Sequence, residues 1–282
     1  MSKIKVHLAE EAGFCFGVKN AIALAEAEAN KGEAVSTLGD LVHNQDVMND
    51  LKAKKISSIT LDDELSGTVL IRAHGVTSKV KEHVAKLAPK MVDATCPMVK
   101  AIKQQVDASF SDGALVLLFG HAKHPEAIGI KDGREHVVVI SGVEEIAKQE
   151  LVKKIKNAKS VSLFSQSTMF VEGFVELEKS LLKLRPDAHI RNTICAPTRK
   201  RQSCVIELAK KLPLIIVVGD PKSANTGHLL ELASNYTKAE RVLDAVELKA
   251  EWFDGIAEVG VTAGASTPDH AIRAVINAIE KF

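Results

Sequence analysis

Four cysteines stand in the 282-residue sequence, and three of them share one local setting. Cys15, Cys96 and Cys195 lie in LAEEAGFCFGV, KMVDATCPMV and RNTICAPTR, at intervals of 81 and 99 residues. Each follows an extended stretch and opens a helical pattern. Pro97 and Pro197 suit a first helical turn, where a missing N–H costs nothing. A thiol at such a place faces free N–H groups and the positive end of the helix dipole, and both favour thiolate. The setting suits metal ligation. All-thiolate sites favour iron-sulfur clusters or zinc, and three thiolates without a fourth leave one metal position open. The bland alternative makes each of the three a buried small hydrophobe, and three copies of one context weigh against it. Cys204, in SCVIELAKKL, lacks that context and reads as a core residue. No Cys-x-x-Cys pair occurs, which excludes zinc ribbons, thioredoxin-like sites and ferredoxin-type runs.

Histidines and small polar loops form a second group. His43, His74 and His124 each follow an expected strand, the place where open α/β sheets bind ligands. As a set they suit an anionic group, although any one of them reads equally well as an ordinary loop histidine. The stretch Lys222-Ser223-Ala224-Asn225-Thr226 and the stretch Gly264-Ala265-Ser266 offer hydroxyls, an amide and backbone N–H groups near helix starts. Those are the elements of a phosphate cradle, and equally of plain helix caps. Glu126, two residues after His124, is the candidate general acid. Desolvation beside an anionic ligand would raise its pKa into the range useful for proton donation. Its alternative is a glutamate favoured at a helix N-terminus by the dipole.

The elements that must position these residues follow from apolar runs. Residues 69–71, 114–119, 160–164, 214–218 and 258–262 read as short buried strands, with a weaker run at 33–36. Helical patterns at 20–30, 78–87, 99–109, 171–184, 204–212 and 270–281 alternate with them. The class is therefore α/β with mainly parallel sheets. The recurring cysteines divide the chain into three α/β domains: 14–95, 96–194, and 195–282 joined by the N-terminal strand 1–13. With no Gly/Ser linker between them, the three units are expected to pack together, with the site where they meet.

Composition narrows the ligand. Lysine plus arginine, 37, nearly equal aspartate plus glutamate, 36, so no summed field favours nucleic acid or an anionic membrane. Aromatic content of 4% argues against base-stacking platforms. No apolar run approaches the roughly 20 residues of a membrane span, and MSKIKVHLAEEAG lacks the pattern of a secretory signal. A cytoplasmic protein acting on a small molecule is expected, without disulfides. Three classes stay open on these residues: an iron-sulfur reductase, a zinc hydrolase of phosphate esters, and an iron-sulfur redox sensor.

Taken as a set, GFCFGVKNAI (13–22), VHNQ (42–45), RAHGV (72–76), DATCP (93–97), GHAKHPE (120–126), SQST (165–168), NTIC with Thr198 and Arg201-Gln202, KSANT (222–226) and VTAGAST (261–267) carry a resemblance. In that order they resemble the 4-hydroxy-3-methylbut-2-enyl diphosphate reductase (LytB/IspH) family, which closes the methylerythritol phosphate route to isoprenoids. The resemblance implies three pseudo-threefold-related α/β domains around a central 4Fe-4S cluster held by Cys15, Cys96 and Cys195, with an open fourth iron site for the substrate hydroxyl. It implies that His43, His74, Ser223, Asn225 and Ser266 hold the diphosphate, that His124 lines the pocket near the reacting end, and that Glu126 delivers protons through the Ser167 hydroxyl. A ferredoxin or flavodoxin is the implied electron donor, and isopentenyl and dimethylallyl diphosphate are the implied products. The sequence departs from the commonest family pattern in three places. Ser167 stands where threonine is usual and keeps the hydroxyl. Ala224 stands where serine is frequent and removes one donor. Asp220-Pro221 precede Lys222, and a carboxylate so near a phosphate loop is expected to point outward.

Overall fold

Continuous apolar runs need cover on both faces, and the computed structural model supplies it. It describes residues 3–110 and 113–282; residues 1 and 2, within the expected N-terminal strand segment, and 111 and 112, within the second expected domain, lie outside the described residues. Ala114–Phe119 (ALVLLF) and Leu214–Val218 (LIIVV) are buried at every position, as strands of parallel sheets between helices must be.

Among the described residues the strands are β1 Lys5–Leu8, β2 Val35–Leu38, β3 Ile56–Ile59, β4 Thr68–Ile71, β5 Lys90–Asp93, β6 Ala114–Phe119, β7 Val137–Ile140, β8 Ser160–Ser165, β9 His189–Ile190, β10 Leu214–Val218, β11 Lys238–Val242 and β12 Glu258–Ala263. They form three four-stranded sheets, ordered β3-β2-β4-β5, β7-β6-β8-β9 and β11-β10-β12-β1. Every pairing is parallel. The α/β class with parallel sheets is therefore the one the chain adopts. One topology occurs three times: two central strands, an outer strand on one side, and on the other a short strand that leads to a cysteine. Those short strands are β5 before Cys96, β9 before Cys195 and β1 before Cys15.

The chain forms two compact units. One comprises residues 1–19, 42–54 and 196–282 and contains the sheet with β1. In its core Leu214, Ile216, Val218, Val259 and Val261 pack with Ile272, Val275 and Ile279 of the helix Asp269–Ile279. The other comprises residues 20–41 and 55–195 and contains the remaining two sheets. There alternation along β6 and β8 sends Leu117, Phe119 and Leu163 to the helix Val171–Leu184. Val116, Leu118 and Phe164 go to the opposite face, against Ile102 and Val106 of the helix Pro97–Ala108. Each such buried side chain contributes roughly 1.5–3 kcal/mol.

Two local expectations differ from the structure. The helix expected at 204–212 is Ala196–Ala209, and its inner face is partly polar: Thr198, Arg201 and Gln202 are buried beside Val205 and Ala209. Cys204 lies off that face and is partly exposed, so it is not a core residue. No helix of the described residues is long and apolar enough to cross a membrane.

Candidate active site

The sheet edges deliver the cysteines. Cys96 is the N-cap of the helix Pro97–Ala108, with Pro97 in its first turn, and its N–H donates to the Ala73 carbonyl at 2.9 Å. Cys195 immediately precedes the helix Ala196–Ala209 and donates to the Ser167 carbonyl at 3.0 Å. Cys15 immediately precedes the helix Phe16–Ala29 and donates to the Ala265 carbonyl at 3.1 Å. One backbone bond thus ties each cysteine to the loop leaving the neighbouring central strand, β4, β8 or β12. These loops carry His74, Ser167 and Ser266. All four cysteines are partly exposed thiols outside any disulfide. Cys15 belongs to the first unit, and Cys96 and Cys195 belong to the second.

The segment before Cys96 is held by charge. Asp93 Oδ1 accepts the Thr95 N–H at 3.0 Å, and Asp93 Oδ2 takes Lys81 at 2.8 Å and Lys100 at 3.3 Å. Burial alone would raise the Asp93 carboxyl, but the bonds from Lys81 and Thr95, with Lys100 beside them, hold it down at about 2. The segment before Cys15 needs a glycine. Gly13 has φ +88°, and a Cβ there would lie 2.9 Å from Ile272 Cδ1, so both backbone and space reject a side chain.

Glu126 sits in the first turn of the helix Pro125–Lys131, whose N-cap is His124. It is 2% exposed. Ser167 meets both of its oxygens: the backbone N–H donates to Oε1 at 2.6 Å and the hydroxyl to Oε2 at 2.8 Å. Burial pushes the Glu126 carboxyl up to about 7, against the lowering effect of the two Ser167 bonds. This acid exchanges its proton near neutrality. His124 Nδ1 accepts the Glu126 N–H at 3.2 Å, which in the neutral ring leaves Nε2 as the donor. Its ring meets that of His74 edge-on, with centroids 5.4 Å apart. The structure therefore brings Glu126, Ser167, His124 and His74 together within the second unit, with Cys195 bonded to the Ser167 backbone.

His43, Ser223, Asn225 and Ser266 belong to the first unit. Ser223 caps the helix Ala224–Ser234, its hydroxyl oxygen accepting the Thr226 N–H at 3.3 Å. Ser266 Oγ donates to the His43 carbonyl at 2.9 Å. The Asn225 amide nitrogen and the Thr226 and Thr262 hydroxyls are buried without a hydrogen-bond partner. A Cβ at Gly264 would stand 2.3 Å from Thr226 Oγ1, so glycine alone lets these two loops approach. Asp220 overturns the expectation of an outward carboxylate. It is 6% exposed and accepts the Lys222 N–H at 2.7 Å and the Gln45 N–H at 3.1 Å.

Two supporting residues escape sequence reasoning. Gln166, fully buried, accepts the His121 N–H at 3.2 Å and donates to Thr168 Oγ1 at 3.1 Å, joining the loops that carry His124 and Ser167. Arg201, 1% exposed, donates to the Glu11 carbonyl at 2.7 Å and the Gly13 carbonyl at 2.9 Å, pinning the approach to Cys15. Both lie in motifs noted above, and their polarity hid their burial.

Parallel α/β sheets that present thiols at helix N-termini, with a buried carboxyl raised to about 7, define the class: an α/β enzyme equipped to hold and move a proton. The family model of the LytB protein matches residues 6–280, and the chain belongs to that family. It is 36% identical to 4-hydroxy-3-methylbut-2-enyl diphosphate reductase of Campylobacter hominis, over 98% of both chains. It is 37% identical to the same-named protein of Geobacter sulfurreducens, over 99% of this chain and 98% of that one. Among solved structures, (E)-4-hydroxy-3-methyl-but-2-enyl diphosphate reductase, described as the terminal enzyme of the non-mevalonate pathway, aligns with TM-score 0.71 at 35% identity, covering 99% of this chain and 100% of that one. The E-1-hydroxy-2-methyl-but-2-enyl-4-diphosphate reductase of Plasmodium falciparum shares the fold, with TM-score 0.88 at 23% identity, over 98% of this chain and 88% of that one.

Proposed function

We propose that this chain is a 4-hydroxy-3-methylbut-2-enyl diphosphate reductase, an oxidoreductase that removes the allylic hydroxyl of that diphosphate to give isopentenyl and dimethylallyl diphosphate. The reaction consumes two electrons and two protons: one proton leaves with the hydroxyl as water, and the other adds to the allylic carbon skeleton. The observation that carries the reading is Glu126, buried, raised to about 7 and bonded through both oxygens to Ser167. Once Glu126 is protonated at Oε2, the Ser167 hydroxyl turns from donor to acceptor on this bond, and Oε2 gives its proton to Ser167 Oγ as Oγ passes its own hydrogen to the substrate.

Cys15, Cys96 and Cys195 are read as the ligands of one 4Fe-4S cluster with an open fourth iron. What supports this is the donor set: three partly exposed thiols, each at a helix N-terminus where the dipole favours thiolate. When bound, the cluster supplies the electrons one at a time and a position for the substrate hydroxyl. His43, His74, Ser223, Asn225 and Ser266 are read as the diphosphate ligands. The buried, unpartnered Asn225 amide and the start of the helix Ala224–Ser234 favour an anion there. His124, donating from Nε2, faces the reacting end in this reading. Three α/β domains, 14–95, 96–194 and 195–282 with 1–13, are read from the threefold topology, one four-stranded sheet to each. A ferredoxin or flavodoxin supplies the electrons, in the reducing cytoplasm where thiols persist.

The test is anaerobic purification with iron and sulfide analysis and a dithionite-driven assay on the hydroxylated allylic diphosphate. A brown protein with about four irons that consumes this substrate is expected. A colourless protein that stays inactive after cluster reconstitution would end the reading.

A further inference from the structure

The loop after β10 reads Gly219-Asp220-Pro221-Lys222-Ser223, and its buried carboxylate is an odd neighbour for an anion site. Its two oxygens serve different segments. Asp220 Oδ1 takes the N–H of Lys222 at 2.7 Å, next to Ser223. Asp220 Oδ2 takes the N–H of Gln45 at 3.1 Å, two residues after His43. Its own carbonyl accepts the Ser223 N–H at 3.0 Å. Gln45 opens the helix Gln45–Ala53, whose N-cap Asn44 already holds Val47. Asp220 therefore satisfies a further N–H that a helix start leaves orphaned. On the other side, Ser266 bonds the carbonyl of His43 itself at 2.9 Å.

We propose that Asp220 is a positioning residue for the diphosphate: it fastens the His43 segment to the Ser223–Asn225 loop, so that the ligand groups of both are set before the anion arrives. The inference rests on the diphosphate assignment made above. Two effects of the carboxylate oppose each other. Its charge repels an anion, whereas its bonds remove the disorder that binding would otherwise have to overcome. At 6% exposure, with an N–H aimed at each oxygen, the charge is largely met by local dipoles, and charge-assisted bonds of this kind are the stronger class. The clamp outweighs the repulsion.

Inorganic diphosphate titrated calorimetrically into anaerobic holoenzyme, paired with steady-state kinetics, tests this. Asp220→Ala should weaken diphosphate binding and raise KM about tenfold, while kcat stays within about twofold and the visible spectrum is unchanged. Asp220→Asn, which keeps one acceptor, should fall between, and it decides the matter alone if the alanine variant does not fold. Wild-type affinity in both variants, tighter binding in either, or a loss confined to kcat overturns the inference and leaves the reductase reading standing. A wild-type holoenzyme that binds neither inorganic diphosphate nor the substrate would sink both.

Discussion

Glu126 and Ser167, the acid and relay of the proposed reaction, are joined by two short hydrogen bonds. Glutamine at 126 keeps the shape and removes the proton, so Glu126→Gln should retain iron content while turnover falls at least about 100-fold; activity near wild type would remove Glu126 from the mechanism. The sign of the pH effect follows from the raised carboxyl. Its pKa rises from 4.5 to about 7 on folding, so the folded protein binds more protons than the unfolded chain between those values. The contribution to stability is complete below 4.5 and is lost as pH climbs through about 7. Denaturant unfolding across that range should show the wild type losing stability relative to Glu126→Gln as pH rises. Parallel curves would mean that Glu126 is ionised throughout. The candidacy of Glu126 was legible in GHAKHPE. Its bond to Ser167 was not, because the two are 41 residues apart and meet only through the pairing of β6 with β8.

Elements divide by burial into those the sequence pattern reveals and those it hides. Central strands such as β6 and β10 are buried at every position and read as unbroken apolar runs. Outer strands such as β3, where Ile56 is buried but Ser57 and Ser58 are exposed, and β5, only partly buried throughout, present half-polar sequences that no hydrophobic period marks. Val137–Ile140 is apolar enough to have been expected and is absent from the expected strands. The helix Ala196–Ala209 hides for another reason: its inner face carries Thr198, Arg201 and Gln202 beside Val205 and Ala209, and hydropathy cannot see polar groups that are buried because they are bonded. Arg201 supports the Cys15 approach through two backbone carbonyls. Arg201→Met should cost roughly 3 kcal/mol or more in unfolding of the cluster-free protein. Arg201→Lys should not restore it, since one ammonium lacks the rigid fork that spans both carbonyls. Chemical unfolding of the three proteins side by side measures this, and a lysine variant as stable as wild type would refute it.

Across the whole molecule one strand-and-loop scheme is used three times, with a cysteine after the same edge strand each time. Cys15→Ser, Cys96→Ser and Cys195→Ser should each abolish the brown colour or lower iron content, while Cys204→Ser, on a partly exposed helix flank, should leave the visible spectrum intact. Loss of colour in the Cys204 variant would overturn the ligand set. The threefold scheme was visible in the cysteine contexts, because a helix start leaves a local signature. The bonds from Cys96 to Ala73, Cys195 to Ser167 and Cys15 to Ala265 were not, since parallel pairing joins residues that the sequence keeps far apart.

The third sheet differs from the others in the order in which its strands leave the ribosome. β1 is made first, yet it pairs with β12, Lys5 standing opposite Glu258. Until β12 and the loop after it are made, the segment leading to Cys15 has neither its neighbouring strand nor the carbonyl of Ala265 to hold it. The first two sheets are composed entirely of residues 35–190 and have all their strands long before that. A nascent chain stalled ahead of β12 therefore presents two finished sheets and an unpaired β1 with Cys15 a few residues beyond it, the sort of edge that chaperones shield. Whatever is inserted against Cys15 must wait until β12 has been made.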